Sequence, residues 1–333
     1  MIRINDVKCH KEHIFLYGCK EILYLCRGIE MNFFNKVALM IFGSSLIAFS
    51  GSLHAAQTIE WSGCGITKKA FMAELGKAYE KKTGIKVNLS GGGATKGIRN
   101  AAKGTIHIGG ACRVSLEKHA EERNAYQIPV AWDALVVFVH EKNPVDNISY
   151  QQLQELFLGK ITNWKQLGGN DAPVELYARR GKLSGVGRTL RELVFANYDQ
   201  EFKPTFMVKS SGPVEKGVVK NINGIGVSGI SSAKKRKLKL LKLDGKAPTY
   251  ENIKSGAYAL YRPLYLVIKA GNKDKMVRDF IKYAVSPEGQ DIIRAQGTVP
   301  YAEALHLVMK QLDQYQRASK EGLFHTGTAT VKK

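Results

Sequence analysis

The sequence predicts an α/β protein of two lobes, each a mainly parallel sheet flanked by helices. Three observations carry that expectation. From Thr58 onward, apolar runs of strand length alternate with helical patterns across short connections, the signature of a parallel sheet covered on both faces. Two long extended apolar stretches, Pro129 to Val139 and Tyr258 to Ile268, separate two such regions and read as a pair of crossovers between lobes. With 333 residues, 44% hydrophobic and 24% charged, the chain is long enough for two ordinary cores and unlike a disordered polymer.

The first 56 residues are set apart from this fold. Residues 31–56 read as an export signal, because Met31 opens a short segment with Lys36, an uncharged run follows from Val37 to Leu53, and small residues at Ala55 and Ala56 suit cleavage. A permanent membrane span would need about 20 apolar residues without that processing site. Residues 1–30 fit no secretory segment and read as an extension from a start codon called too early. They hold Cys9, Cys19 and Cys26, so the exported chain would keep only Cys64 and Cys112. Two cysteines in an oxidising compartment point to one disulfide, Cys64 to Cys112.

Thr58 to Gly63 is then the first strand. Lys68 to Lys82 is a helix, with Phe71, Met72, Leu75, Ala78 and Tyr79 on one face and Gly84 placed to end it. Ile85 to Ser90, a short helix at Lys96 to Lys103, and Ile106 to Gly110 complete a βαβαβ unit. Its strands one and three should lie side by side in a 2-1-3 order, with both cysteines just past their carboxyl ends. After the first crossover, Ser149 and Gln152 form a capping-box pair for a helix over Gln151 to Leu158. A strand at Val174 to Arg180, a helix after Ser184, and strands near Phe206 and Gly226 build the second lobe. Helices at Lys273 to Val285 and Pro287 to Gln296 return to the first, and the chain from Gln314 reads as a polar tail that frays.

The formal net charge is +21, and residues 1–56 carry six basic and four acidic side chains, which leaves about +19 beyond them. Such a balance favours anions. The densest run, Lys234 to Lys237, soon alternates with leucines, so it reads as a solvated turn feeding a half-buried strand and not as a nucleic-acid patch.

Three glycine-rich turns each precede a helix: Gly63 to Thr67, Gly91 to Thr95, and Ser184 to Arg188. Helix starts expose unpaired N–H groups and the positive end of the dipole, and glycine lets a ligand approach that backbone, so together the turns predict an oxyanion cradle. Gly224 to Gly229 matches a dinucleotide fingerprint, with Asp244 near the expected spacing. A lysine-rich turn and an alternating strand follow it where a pyrophosphate-bearing helix should be, so that reading is set aside. His107, His119 and His140 form no pair with metal spacing, and no base is evident for Ser184 as a nucleophile. No catalytic residue, metal or cofactor is expected.

The order of Gly63-Cys64-Gly65-Ile66-Thr67, the run Lys81 to Val87, the run Leu156 to Gly169, Arg180 with Ser184-Gly185, Gly224 to Val227, and Ser286 to Gln290 resembles the phosphate-binding proteins of bacterial ABC importers. The likeness covers residues 58 to 310. It implies a two-lobed periplasmic binding-protein fold, with residues 57–132 and 263–316 as a discontinuous lobe I, 133–262 as lobe II, and 317–333 as the tail. It further implies a monomeric, periplasmic protein that captures a small tetrahedral oxyanion for an inner-membrane ABC permease and binds no nucleic acid. Carried onto these positions, the site would comprise Gly65, Ile66, Thr67, Ala94, Thr95, Cys112, Asp133, Arg180, Ser184, Gly185 and Val186. Thr67 would be the first-loop hydroxyl donor, and Arg180, Ser184 and the Gly185 amide would clamp from lobe II. Three positions depart from the family pattern: Ala94 replaces a serine, Val186 a threonine, and Cys112 an aspartate that could accept the proton of hydrogen phosphate. A ligand-sensing or redox-responsive module on the same fold, and a polyanion-binding basic protein, are the alternatives.

Overall fold

The computed structural model describes residues 57–116, 118–183 and 185–318. The expected export signal, the extension before it, and Ser184 therefore lie outside the described residues.

Strand β1 (Thr58–Gly63) leads into one helical run made of α1 (Gly65–Thr67), a π-helical stretch (Lys68–Met72) and α2 (Ala73–Thr83). The run begins three residues earlier than its apolar periodicity indicates, because Gly65 already has helical geometry. Phe71, Met72 and Leu75 are fully buried along it, and Gly84 ends it in a left-handed conformation. Next come β2 (Lys86–Ser90), α3 (Gly93–Lys103) and β3 (Ile108–Ala111). These strands run parallel in the order β2-β1-β3. Helix α3 lies hard against the sheet because Gly97 has no side chain: a Cβ there would meet the Ser62 carbonyl at 2.8 Å and the Gly110 carbonyl at 2.9 Å.

The long strand β4 (Ala125–His140) follows, then β5 (Asn147–Ile148) and α4 (Tyr150–Phe157), whose start carries the expected Ser149–Gln152 capping box. Strand β6 (Glu175–Arg179) precedes α5 (Gly185–Leu190) and its π-helical continuation (Arg191–Phe195). Strand β7 (Phe206–Val208), α6 (Ser211–Val219), β8 (Gly224–Gly229) and the one-turn α7 (Ile230–Ala233) come next. The leucine-lysine alternation beyond them is split into β9 (Leu238–Leu240) and β10 (Lys242–Leu243), ahead of α8 (Tyr250–Ser255). Strand β11 (Tyr261–Lys269), α9 (Lys275–Val285), α10 (Pro287–Ala295), β12 (Val299–Pro300) and α11 (His306–Ala318) complete the described chain.

Strand β4 belongs to two half-sheets. Its residues Ala125 to Ala134 pair antiparallel with β11, which also pairs with β3, whereas Leu135 to Val139 pair antiparallel with β8. Strand β8 runs parallel to β6, and β6 to β7. Each half is thus three parallel strands joined to an antiparallel partner, the mainly parallel sheet expected, made mixed by β11 and β4. Trp132 ties the returning chain to this seam. Its ring stacks on Tyr301 at 4.9 Å, meets Tyr261 edge-on at 5.9 Å, and its indole N–H donates to the Tyr301 carbonyl at 3.2 Å.

The C-terminal expectation needs correction at Gln314. That residue is buried inside α11 and its amide donates to the Ala259 carbonyl and, at 3.1 Å, to the Tyr261 carbonyl, so the chain is still docked at Gln314, and the end expected to fray lies outside the described residues. Hydrophobicity alone hid this, because the docking is polar.

Candidate functional site

Between the half-sheets lies a cleft of about 490 Å3. The first residues of four helical segments line it: Gly65, Gly93, Gly185 and Ser211. The preceding residues Cys64, Gly92 and Ser210 line it too, and none of these three caps its helix through a side chain. Elsewhere four longer helices are capped, by Ser149 on α4, Thr249 on α8, Asp274 on α9 and Ser286 on α10, whereas the one-turn α7 is not. The helices that start at Gly65, Gly93 and Ser211 therefore turn first N–H groups without a side-chain cap toward the cleft.

Charge reinforces this geometry. Lys69, Arg179 and Lys209 line the cleft, and no carboxylate is among its described lining residues. Burial lowers the pKa of Arg179, against which the cysteine pair raises it. Its Nη1 donates to Ser211 Oγ at 3.2 Å, and its Nε is buried without a partner among the described residues. Thr67 Oγ1, Ser231 Oγ and Arg262 Nε share that condition. A buried donor without a partner costs about 1–3 kcal/mol, so such atoms mark where a ligand or solvent belongs.

The expected site residues separate into three groups. Gly65, Ile66, Ala94 and Gly185 line the cleft. Thr67, Cys112, Asp133 and Val186 are buried outside its lining. Asp133 accepts from the Ser231 amide at 3.2 Å and sits 3.5 Å from Arg262 Nη2. Burial pushes its carboxyl up, and Arg262 and Ser231 oppose that shift. Thr95 does not line the cleft: its hydroxyl donates to the Leu183 carbonyl at 3.1 Å and accepts from Arg113 Nη2 at 3.0 Å, joining the two halves. Arg180 is exposed and outside the cleft, while Arg179 lies within it. Of the two adjacent arginines, the one the resemblance singled out is therefore not the one that lines the cleft.

Lys69, Lys209, Ser210, Ser211, Gly212 and Ser232 line the cleft without having been expected there. Ser210-Ser211-Gly212 at the start of α6 is the same signal of small residues opening a helix as the three glycine turns. Ser232 follows the Gly224 to Gly229 motif, which is β8 leading into the four-residue α7. The motif set aside as a nucleotide fingerprint thus delivers a hydroxyl to the cleft. Lys69 Nζ donates to that hydroxyl at 2.7 Å across the halves, with the buried Glu215 at 3.7 Å.

Cys64 and Cys112 meet where β1 and β3 end, with their Sγ atoms 2.7 Å apart. An S–S bond is about 2.05 Å, so the two sulfurs stand unbridged in this structure and need only a small movement to join. A methyl group on Gly185 would collide with Cys112 Sγ, so the start of α5 packs directly on the pair.

Two half-sheets sharing one strand, with uncapped helix starts converging between them, define an α/β protein that holds a small ligand in a cleft. The chain belongs to the PBP superfamily, whose domain model matches residues 55–288. It is 29% identical over 273 residues to the phosphate-binding protein PstS of Borreliella burgdorferi, covering 79% of this chain and 98% of that one. It is 26% identical over 257 residues to PstS of Bacillus subtilis, covering 76% and 84%. Among solved structures it is similar to a phosphate ABC transporter substrate-binding protein with bound phosphate from Clostridium perfringens, at TM-score 0.67 and 29% identity, covering 73% of this chain and 99% of that one. An ABC-type phosphate transport receptor from Vibrio cholerae gives TM-score 0.59 and 27% identity, with 73% and 100% covered.

Proposed function

We propose that this chain is an extracytoplasmic solute-binding protein that captures phosphate or a related tetrahedral oxyanion and presents it to an inner-membrane ABC permease, acting as a monomer and without catalysis of its own. The observation that carries the reading is the sorting of helix caps: three starts at the cleft lack a side-chain cap, and four elsewhere have one. The names of its relatives and the bound phosphate of a structural neighbour support the choice of anion. The lobe division at 132/133 and 262/263 belongs to the same proposal, supported by the change of partner along β4 at Ala134–Leu135.

In this reading Arg179 provides the charged clamp together with the amides of Gly65, Gly93 and Gly185. A hydrogen bond to a charged group contributes about 1.5–3 kcal/mol, so Arg179→Ala should weaken phosphate binding at least about tenfold. Arg180→Ala should leave it within about threefold, since an exposed charge is screened. Isothermal titration with phosphate, sulfate and arsenate tests both, and an unchanged dissociation constant in Arg179→Ala would remove that residue from the site.

A further inference from the structure

We propose that Cys64 and Cys112 are a redox modification site that sets the anion affinity of the cleft: bridged, they leave its donors free for an oxyanion, and as dithiols they compete for those donors. This inference rests on the anion-binding reading and adds a regulator to it.

Cys64 stands at the head of the α1–α2 helical run and lines the cleft, and Cys112 lies behind Gly185 with its sulfur 2.7 Å from that of Cys64. They are the only two cysteines among the described residues. Arg262 and Arg179 act on the pair from the two halves of the sheet, with Asp133 reaching it only through Arg262. Burial pushes the Cys64 thiol up. The hydrogen bond with Cys112, the Arg262 charge and the amides of Thr67 and Ile66 outweigh burial and bring it down to about 6. The bond to Cys64, then burial, pushes Cys112 the other way, well above its ordinary value. With one thiol pushed down and its partner pushed up, the dithiol pair favours giving up one proton, which leaves a negative charge, and sharing the other. That charge occupies the same helix start and arginine field that an oxyanion would use, and repels it. Bridging removes the charge and leaves the donors in place.

The chemistry needs a disulfide-bearing oxidant. The Cys64 thiolate attacks one sulfur of the oxidant and expels the other as a thiolate, forming a mixed disulfide. Cys112 then gives up its proton and attacks Cys64 Sγ, expelling the second oxidant sulfur. One S–S bond forms in the chain and one breaks in the oxidant, which gains two electrons and, on protonation, two protons. Both thiols are nearly inaccessible, so exchange proceeds when the cleft is open, and ligand should slow it.

The test uses the full chain, treated with oxidised glutathione or with a phosphine reductant, exchanged into phosphate-free buffer and titrated with phosphate and sulfate. Peptide mapping reports whether the Cys64 and Cys112 peptides are linked. The oxidised protein should bind at least about tenfold more tightly, the scale expected for removing a unit charge beside the ligand. Cys112→Ser keeps the Cys64 thiol but stops the reaction at the mixed disulfide, so oxidant should not produce the tighter-binding state in that variant, with circular dichroism reporting that it folds. The comparison of the two redox states of the unaltered chain needs no substitution. Equal affinity in both states with the link mapped overturns the gate alone, as does failure of the link to form in ligand-free protein. No anion binding in either state with the link mapped overturns the anion-binding reading, and the gate with it.

Discussion

Gly185 controls how closely the two halves of the cleft meet. Its Cα has room for hydrogen only, because an added methyl would collide with Cys112 Sγ and come within 3.3 Å of Ala94 Cβ. Gly185→Ala should therefore wedge α5 away from β3, weakening phosphate binding at least about tenfold while costing little global stability, since overpacking at a surface that can part is relieved by parting. Titration paired with a thermal melt checks this, and unchanged affinity would show that the contact is not needed for capture. Gly185 was legible in the sequence because the glycine is a backbone requirement. Arg179 was not: choosing between two adjacent arginines needs the strand register, which pairs Arg179 with Val208 and turns Arg180 to solvent. Thr95 was misassigned for a related reason, since a hydroxyl beside a glycine loop has no direction until its helix is docked.

Among the elements, helix starts were the most readable feature, because small residues before apolar periodicity reveal them. What could not be read is the segment from Cys112 to Arg123, which has little regular structure and is held by a buried ion pair. Glu122 accepts both Nη groups of Arg113 at 2.8 Å and the Leu116 amide at 3.0 Å. Arg113 Nε in turn donates to the Leu183 carbonyl across the cleft at 3.1 Å. Glu122 is thus the brace that aims a strut between the halves. Burial would raise its pKa, but the hydrogen bonds and charge of Arg113 and the Leu116 amide hold it below its ordinary 4.5. A carboxyl lowered in the folded state adds stability that is fully present above its unfolded pKa and is lost as pH falls through the folded one. Melting temperature should therefore fall on acidification below about pH 4.5, and Glu122→Gln should lose that part of the dependence. The substitution leaves Arg113 buried without its counter-charge, which should cost about 3–5 kcal/mol in denaturant unfolding. A cost under about 1 kcal/mol would mean that the pair is solvated and braces nothing.

At the scale of the whole molecule, the long apolar runs foretold two α/β regions, since only strands shared between them need to be apolar for so many residues. The polar ties that close the cleft carry no such signal. Strand β4 changes partner between Ala134 and Leu135, and Leu135 donates to the Leu260 carbonyl at 2.8 Å just before β11 begins. At that level a hinge over residues 128–136 and 258–266 would bend only two strands. The ties across the cleft are side-chain mediated: Arg113 and Thr95 to Leu183, Thr189 to the Cys112 carbonyl at 3.3 Å, Lys69 to Ser232 and Glu215, Lys235 to the Lys69 carbonyl at 3.0 Å, Lys234 and Lys235 to Gln296, and Tyr315 to Glu192. Each such bond contributes only about 1 kcal/mol net, because water replaces it when the halves part. An anion seated on the uncapped helix starts bonds to both halves at once and has no equivalent in the open form, so it shifts the balance to closure. X-ray scattering of phosphate-free protein should accordingly give a larger radius of gyration than protein saturated with phosphate, by up to about 1 Å for a hinge of this kind. Gly185→Ala should stay near the larger value at the same phosphate concentration. Superimposable curves with and without saturating phosphate would mean that the closed arrangement is intrinsic to the chain and that binding does not draw on a hinge.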